Sequence, residues 1–448
     1  MSLNDTITAC ATPIGYSGIA VIRLSGAQAL AIAKKVFRPQ SGMVDFKPNC
    51  VYFGDFFDSE KNCVVDKILL TTFFAPHSYT GEDVVEFSCH GNPLIVERII
   101  TALLNQGARL AQKGEFTKRA LLNGKIDLIQ AEAVLDTVYA SCEQARRVAL
   151  AQYEGKLSDW VYSLRAKIVD LLLLIEASLD FPEEEETEIE ELKIHQTLQV
   201  LIDDLDWILK GAQTGVKIKE GYRVLIMGRT NVGKSTLFNR LVGFERAIVH
   251  SEPGTTRDYI EEDIELAGLF IRLFDTAGVF SGAKGVDQKA VEKTQGLLNQ
   301  ADLILLMFDG SEPVNEEDIE LYDLTKEHRK LQILNKIDLN FRIGQDGLLS
   351  DSIKISAKTG ENIGLLIDGI KQALLPKNVE DQLLVTRTRH IEILKSVRGF
   401  LKNALNGQTL ETVAFELHTA LNRLGELTGQ VMRKEILDRI FEEFCIGK

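Results

Sequence analysis

The sequence predicts a multidomain chain of α+β and α/β class: an N-terminal α+β domain, then a helical domain interrupted by an inserted α/β domain. Three observations carry this. The chain has 448 residues, enough for about three domains of ordinary size. Its hydrophobic pattern passes from strand-like runs to helical periodicity near residue 121, back to strands and glycine-rich turns near 215, and to helical periodicity again near 379. One glycine-rich loop, Gly228-Arg-Thr-Asn-Val-Gly-Lys-Ser235, stands between an apolar strand and a helical stretch.

Over residues 1–120, the runs IAVIRLSG, CVYFGDFF, VVDKILLTTFF and DVVEFSCHG alternate with helical patches such as PLIVERIITALLNQG, as an α+β domain requires. Residues 121–214 carry apolar positions at helical spacing and predict long amphipathic helices. The acidic run FPEEEETEIEEL between them reads as a solvated helix start, with Pro182 near the first turn and acids matched to the helix dipole. Residues 215–378 form the α/β block. Residues 379–448 return to helix, so the block is an insertion and the helical halves are expected to pack together across it.

Composition bounds the partners. A hydrophobic fraction of 45% and a charged fraction of 26% suit a soluble globular protein. The net charge of -14 argues against a surface that grips nucleic acid by bulk electrostatics, so any RNA contact would have to be local. The most basic helical stretch, RTRHIEILKSVRGFLK, reads as a solvated face. Cys10, Cys50, Cys63, Cys89, Cys142 and Cys445 form no CxxC pair and no metal-ligand spacing with the histidines, which predicts reduced thiols in a cytoplasmic protein. The opening MSLNDTITACATPIG has no apolar signal core, and IVDLLLLIEASLDF is too short and too charged to cross a bilayer. The terminal EEFCIGK invites a prenylation reading, which Gly447 and the final Lys448 do not suit.

The α/β block carries the chemistry. In the glycine-rich loop the backbone N–H groups and the following helix N-terminus face phosphates, Lys234 reaches the β and γ phosphates, and the Ser235 hydroxyl ligates Mg²⁺. The strand LFIRLF delivers Asp275-Thr276-Ala277-Gly278, a carboxylate near the metal and a glycine N–H near the γ-phosphate. The strand KLQIL ends in Asn335-Lys336-Ile337-Asp338. The Asp338 carboxylate can accept from the N1–H and 2-amino donors of guanine; adenine offers neither donor. SIKI then leads to Ser356-Ala357-Lys358, a further base-side loop. Four such elements in order predict a GTP-binding domain. Within GTTRD, Thr256 is the candidate second Mg²⁺ contact. Asn231 can hold a monovalent cation against the phosphates, where the cation would spread transition-state charge. Val279 stands where Ras-like proteins carry a water-orienting glutamine, so either turnover is slow or another group positions the water.

With these residues in place, the whole chain resembles the MnmE/TrmE family of tRNA-modification GTPases. The resemblance rests on DTITACATP, SYTGEDVVEF, GEFTKRALLNGKIDLIQAEAV, DFPEEE, GTTRD, DTAG and the terminal DRIFEEFCIGK. It implies a folate-binding N-terminal domain that also makes a homodimer, a discontinuous helical domain and an inserted Ras-like P-loop domain. It further implies a heterotetramer with an FAD-dependent partner of MnmG/GidA type. That assembly adds an aminomethyl or carboxymethylaminomethyl group at C5 of the wobble uridine of certain tRNAs, using GTP and 5-formyltetrahydrofolate or a related one-carbon folate. Pairing of the GTPase domains, dependent on GTP and K⁺, would switch hydrolysis on.

Transferred residue by residue, the resemblance implies nucleotide contacts at Asn231, Val232, Gly233, Lys234, Ser235 and Thr236. It extends them to the loop His250, Ser251, Glu252, Pro253, Gly254, Thr255 and Thr256, and to the three later motifs. The K⁺ site falls on Asn231, His250, Glu252 and Thr255, and the Mg²⁺ site on Ser235 and Thr256. Folate contacts fall on Arg23, Glu82, Lys125 and Lys448, which suits glutamate carboxylates at one end of the ligand and a pterin edge at the other. Arg257, Asp287 and Cys445 are the candidate catalytic residues. Two departures stand out: the sequence Val279-Phe280-Ser281 after Asp-Thr-Ala-Gly, and Asp287, one methylene shorter than the family's water-orienting glutamate. Slower hydrolysis with intact GTP binding is therefore expected. Thr230 replaces the family's usual proline, a change expected to be neutral. The terminal helix would bring Cys445 and Lys448 to the folate pocket. Whether the thiol reacts near the transferred carbon or only packs is left open by the residues alone.

Overall fold

The structure, a computed structural model, describes residues 5–40, 42, 45–180, 187–244, 260–275, 296–339, 349–376, 383–431 and 434–448. It has the mixed α+β and α/β class that the sequence predicts, in two compact units. The first comprises Met1–Leu135, Tyr153–Ser158 and Asn422–Lys448; the second comprises Asp136–Gln152 and Asp159–Leu421.

The first unit is built on a seven-stranded sheet of β1 (Ile7–Cys10), β2 (Ser17–Ser25), β3 (Phe37–Pro39), β4 (Cys50–Asp58), β5 (Cys63–Phe73), β6 (Val84–Gly91) and β7 (Arg109–Leu110). The order is β3-β4-β5-β6-β2-β1-β7, antiparallel except for the β1–β7 pair. Because strand side chains alternate between faces, Ile22, Leu24, Phe56, Ile68, Leu70, Val85 and Phe87 share one buried core. The helices Ala29–Val36 and Pro93–Asn105 contribute Ile32, Ala33, Val96, Ile99 and Leu103 to it. Pro93 opens the second of these helices, and the Asn92 side chain accepts from the Leu94 N–H, satisfying an otherwise orphan donor. The pairing register places Val51, Thr71, Glu86 and Arg23 in one row across the sheet. At the chain's end, Phe441 and Phe444 pack with Ala131 and Leu135. Ile446 then forms an antiparallel bridge with Lys113.

The second unit holds a six-stranded sheet of β8 (Tyr222–Met227), β9 (Ile260–Leu266), β10 (Leu269–Asp275), β11 (Leu303–Asp309), β12 (Lys330–Asn335) and β13 (Ile353–Lys354). Its order is β13-β12-β11-β8-β10-β9, with only β9 antiparallel to its neighbour. β11, LILLMFD, is buried along its whole length, the uninterrupted apolar run that a strand covered on both faces needs. Helices Lys234–Phe244 and Ile363–Leu374 pack into one core, and Leu321 of helix Glu316–Leu324 into the other. β8 lies between β10 and β11, so the chain leaves it to opposite sides. That switch point puts a ligand crevice at its C-terminal end. Helix Thr187–Lys210 packs on helix Thr388–Leu405, bringing together segments from either side of the α/β block. Among the described residues no helix is long and apolar enough to cross a membrane.

Candidate functional site

At the C-terminal end of β8 the loop turns through Asn231 at φ +62° and Gly233 at φ +104° before helix Lys234–Phe244 begins. Left-handed residues in such a loop turn successive N–H groups inward and make a concavity for an anion. A side chain at Gly233 has no room: its Cβ would lie 2.4 Å from Asn335 Nδ2. Lys234 is only 6% exposed, and its ammonium donates to the carbonyls of Gly228 (2.7 Å) and Arg229 (2.8 Å). Burial pushes its pKa down, against the pull of Asp275 and Glu317. A phosphate would offer this buried cation a full counter-charge.

The Ser235 hydroxyl donates to Asp275 Oδ2 at 2.8 Å, so the first turn of helix Lys234–Phe244 and the end of β10 present a hydroxyl and a buried carboxylate to one point. A hard oxygen pair beside a phosphate cradle fits Mg²⁺, which takes one or two protein oxygens and keeps phosphate and water for the rest.

The base side is tied to this cradle by Asn335. Its Nδ2 donates to the Val232 carbonyl (2.8 Å) and its Oδ1 accepts from the Ala357 N–H (2.9 Å). Asp338 is exposed and accepts from the Ser356 hydroxyl at 2.6 Å, which orients its carboxylate. Lys336, at φ +68°, reaches Asp309 at 2.6 Å. Burial opposes the charge on Asp309, but Lys336 and the Ser311 donors still hold its carboxyl below the usual range. Arg240 donates to the carbonyls of Ala357 (3.2 Å) and Lys358 (2.6 Å), fixing the last loop on the helix that follows the phosphate loop. Neither Asp309 nor Arg240 was expected from the sequence. The charge ending the apolar run LILLMFD was an available signal for Asp309, whereas Arg240 gives none. Of the other candidates, Thr236 is exposed on the same helix. His250, Ser251, Glu252, Pro253, Gly254, Thr255, Thr256, Arg257, Thr276, Ala277, Gly278 and Asp287 lie outside the described residues.

A second cluster occupies the first unit. The Arg23 guanidinium pairs with Glu86 (2.7 Å) and lies 5.5 Å from the ring centres of both Tyr79 and Phe116. Lys448 is half-buried. Burial first, and the neighbouring Arg23 second, lower the pKa of its ammonium, while Cys445 opposes them. Lys448 thus lies within electrostatic reach of Arg23, whose own charge is met by Glu86, and an anionic ligand would relieve the repulsion between the two cations. Cys445 is exposed, and its carbonyl accepts from Gly114 N–H at 3.3 Å and Lys448 N–H at 3.4 Å. Glu82 accepts from Ser25 (2.8 Å) and from Arg119 (3.0 Å). Lys125 donates to the Pro76 carbonyl at 3.0 Å, and its stem runs beside Gly81.

Sequence reasoning missed the buried Arg119, which also meets Asp5 at 2.6 Å and Glu115 at 3.7 Å, and Arg109, which clasps both acids at 2.6 Å. The Arg109 bond is the main cause holding the Asp5 carboxyl low, although burial opposes it. At Glu115 burial is the largest influence and works against the charge, but Arg109 and the Gln112 N–H still hold its carboxyl low. Both folded-state pKa values are depressed. Their contribution to stability is therefore complete above the unfolded values of about 4 and is lost as pH falls through the folded ones. Urea midpoints are expected to fall below about pH 4, less steeply in Arg109→Gln. Equal acid sensitivity in both proteins counts against this network.

Comparison with known proteins places the chain as follows. The family profile described as MnmE helical domain matches residues 128–445, and that of the GTP-binding protein TrmE N-terminus matches residues 6–125. The chain is 39% identical to the tRNA modification GTPase MnmE of Aquifex aeolicus (strain VF5), over 100% of both chains. It is 38% identical to that of Caldicellulosiruptor saccharolyticus over 99% of each chain, and 39% identical to that of Alkaliphilus metalliredigens over 100% of each.

Proposed function

Since the chain belongs to the MnmE family of tRNA modification GTPases, we propose that its two clusters divide the work between GTP hydrolysis in one unit and one-carbon chemistry in the other. The observation that carries the first half is Asn335, which locks the phosphate loop to the base-side loop through Val232 and Ala357. In this reading the loop from Asn231 to Thr236 cradles the phosphates and Lys234 moves from the Gly228 and Arg229 carbonyls to the β and γ phosphates. Asp338, oriented by Ser356, selects guanine. Ser235 and Thr256 would hold Mg²⁺, and Asn231, His250, Glu252 and Thr255 would hold K⁺. Both ions, when bound, would supply positive charge where the transition state develops negative charge. Asp287 orients the attacking water and Arg257 assists.

In the other unit, Arg23 and Lys448 would hold the folate's glutamate carboxylates, while Glu82 and Lys125 would meet its polar edge. The bound folate supplies the one-carbon unit. In this reading residues 1–120 bind folate and form the homodimer, 121–214 and 379–448 form the helical domain, and 215–378 form the GTPase. An FAD-dependent partner of MnmG/GidA type completes a cytoplasmic heterotetramer that modifies C5 of the wobble uridine.

GTP turnover is expected to be faster in K⁺ than in Na⁺, and Asp287→Ala to lose most of that stimulation. An unchanged K⁺-stimulated rate would remove Asp287 from the water-orienting role. Cells lacking the gene should lack the wobble modification, and normal wobble nucleosides in them would overturn the whole reading.

A further inference from the structure

At the opposite end of the GTPase sheet lies a cleft of about 830 Å³ that neither cluster uses. Lys210, Lys217, Arg329 and Lys395 line it, with Asp302 as the acid and Tyr222 on its wall. Tyr222 begins β8, Asp302 directly precedes β11 and Arg329 directly precedes β12. Asn231, Asp309 and Asn335, by contrast, stand at or beyond the C-terminal ends of the same strands. A six-residue strand such as β8 spans roughly 20 Å, so the cleft is separate from the nucleotide site.

Three features give the cleft its chemistry. Its charge is unbalanced: Lys217 pairs with Asp302 at 2.9 Å, and among the described residues no carboxylate pairs with Lys210, Arg329 or Lys395. In a chain of net charge -14, three uncompensated cations around one cavity set up a local field for an anion. Tyr222 is 4% exposed, and its hydroxyl has no hydrogen-bond partner. A buried hydroxyl without an acceptor is costly, and a ligand oxygen that displaced the cleft wall enough to reach it would remove that cost. Ala212, Gln213 and Thr214, the first turn of helix Ala212–Glu220, line the same cleft, and no side chain caps that helix. The start of that helix adds N–H donors beside the lysines.

We propose that this cleft is a phosphate-binding site, distinct from the GTP site, that takes the phosphate ester of a tRNA backbone or of a free phosphorylated small molecule. Phosphate fits better than a single carboxylate. It carries more negative charge and more acceptor oxygens, enough for the Arg329 fork, two lysines, the helix N–H groups and Tyr222 together.

The test uses the full chain saturated with GDP and Mg²⁺, so that the nucleotide site is filled. Pyrophosphate is titrated calorimetrically, and unmodified tRNA is titrated at several salt concentrations. Wild type should bind at least one of them. The Arg329→Glu/Lys395→Glu double variant should bind that probe at least about tenfold more weakly, with unchanged GDP affinity reporting an intact fold. If tRNA is the source, its log K against log salt slope should also flatten by about one to two. An effect on pyrophosphate alone assigns a free phosphate ester. Tyr222→Phe, which removes only the orphan hydroxyl, should weaken the same probe without reducing thermal stability in its absence. Unaltered affinity for both probes in the double variant, or no binding of either by wild type, overturns the proposal.

Discussion

Gly233→Ala is expected to lower GTP affinity at least about a hundredfold, through two costs that the geometry makes explicit. The residue sits at φ +104°, where a side chain is strained, and its Cβ would lie 2.4 Å from Asn335 Nδ2. Strain at such a position costs about 1–3 kcal/mol. Displacing Asn335 also breaks its bonds to Val232 and Ala357, each worth about 1 kcal/mol and more when the partners stay buried. Together these reach about 3–5 kcal/mol, or roughly two to four decades in affinity. Gly243→Ala, on the following helix with nothing within 4 Å of an added Cβ, is the control and should bind GTP as wild type does. A fluorescent guanine nucleotide titration reads both. Tight binding by Gly233→Ala would show that the Asn335 bridge does not hold the site together.

How far this site was legible in the sequence depends on how local each interaction is. The phosphate loop and Asn335-Lys336-Ile337-Asp338 are contiguous motifs at strand ends, where backbone geometry dictates residue type. The positive φ values of Asn231, Gly233 and Lys336 fall inside them. What the sequence hides are contacts set by tertiary packing. Arg119 joins Glu82 to Asp5, and Arg240 reaches across to Ala357 and Lys358; arginines are too common and too often solvated for such roles to be read in advance. The basic helix Thr388–Leu405 is instructive. From its pattern it reads as a solvated face, but Arg398 is taken up by Asp206, and Lys395 lines the phosphate cleft with residues as distant in sequence as Lys210. No spacing rule joins Lys210, Arg329 and Lys395. Only the packing of helix Thr187–Lys210 on helix Thr388–Leu405 beside the sheet's N-terminal ends brings them together.

The C-terminal tail provides the other large effect. Gly447→Ala is expected to lower folate affinity at least about tenfold and to abolish wobble modification, while GTP turnover stays intact. Gly447 lies at φ +100°, and its Cβ would stand 2.3 Å from the Cys10 carbonyl oxygen and 2.9 Å from the Ala11 Cα. Both are backbone atoms at the end of a paired strand, which cannot rotate aside as a flexible side chain would. The tail has to lift instead, giving up the Lys113–Ile446 bridge and withdrawing Lys448 from Arg23. Cys445→Ser separates position from reactivity in the same segment. The residue is exposed, so the exchange of sulfur for oxygen costs little packing and should leave folate affinity near wild type. If the thiol takes part in the one-carbon step, Cys445→Ser loses modification with folate still bound; if it only holds the tail, modification persists. Folate calorimetry beside wobble-nucleoside analysis on the two variants distinguishes these outcomes. Wild-type folate affinity in Gly447→Ala would take Lys448 out of the folate site, because that substitution leaves every other proposed folate contact in place.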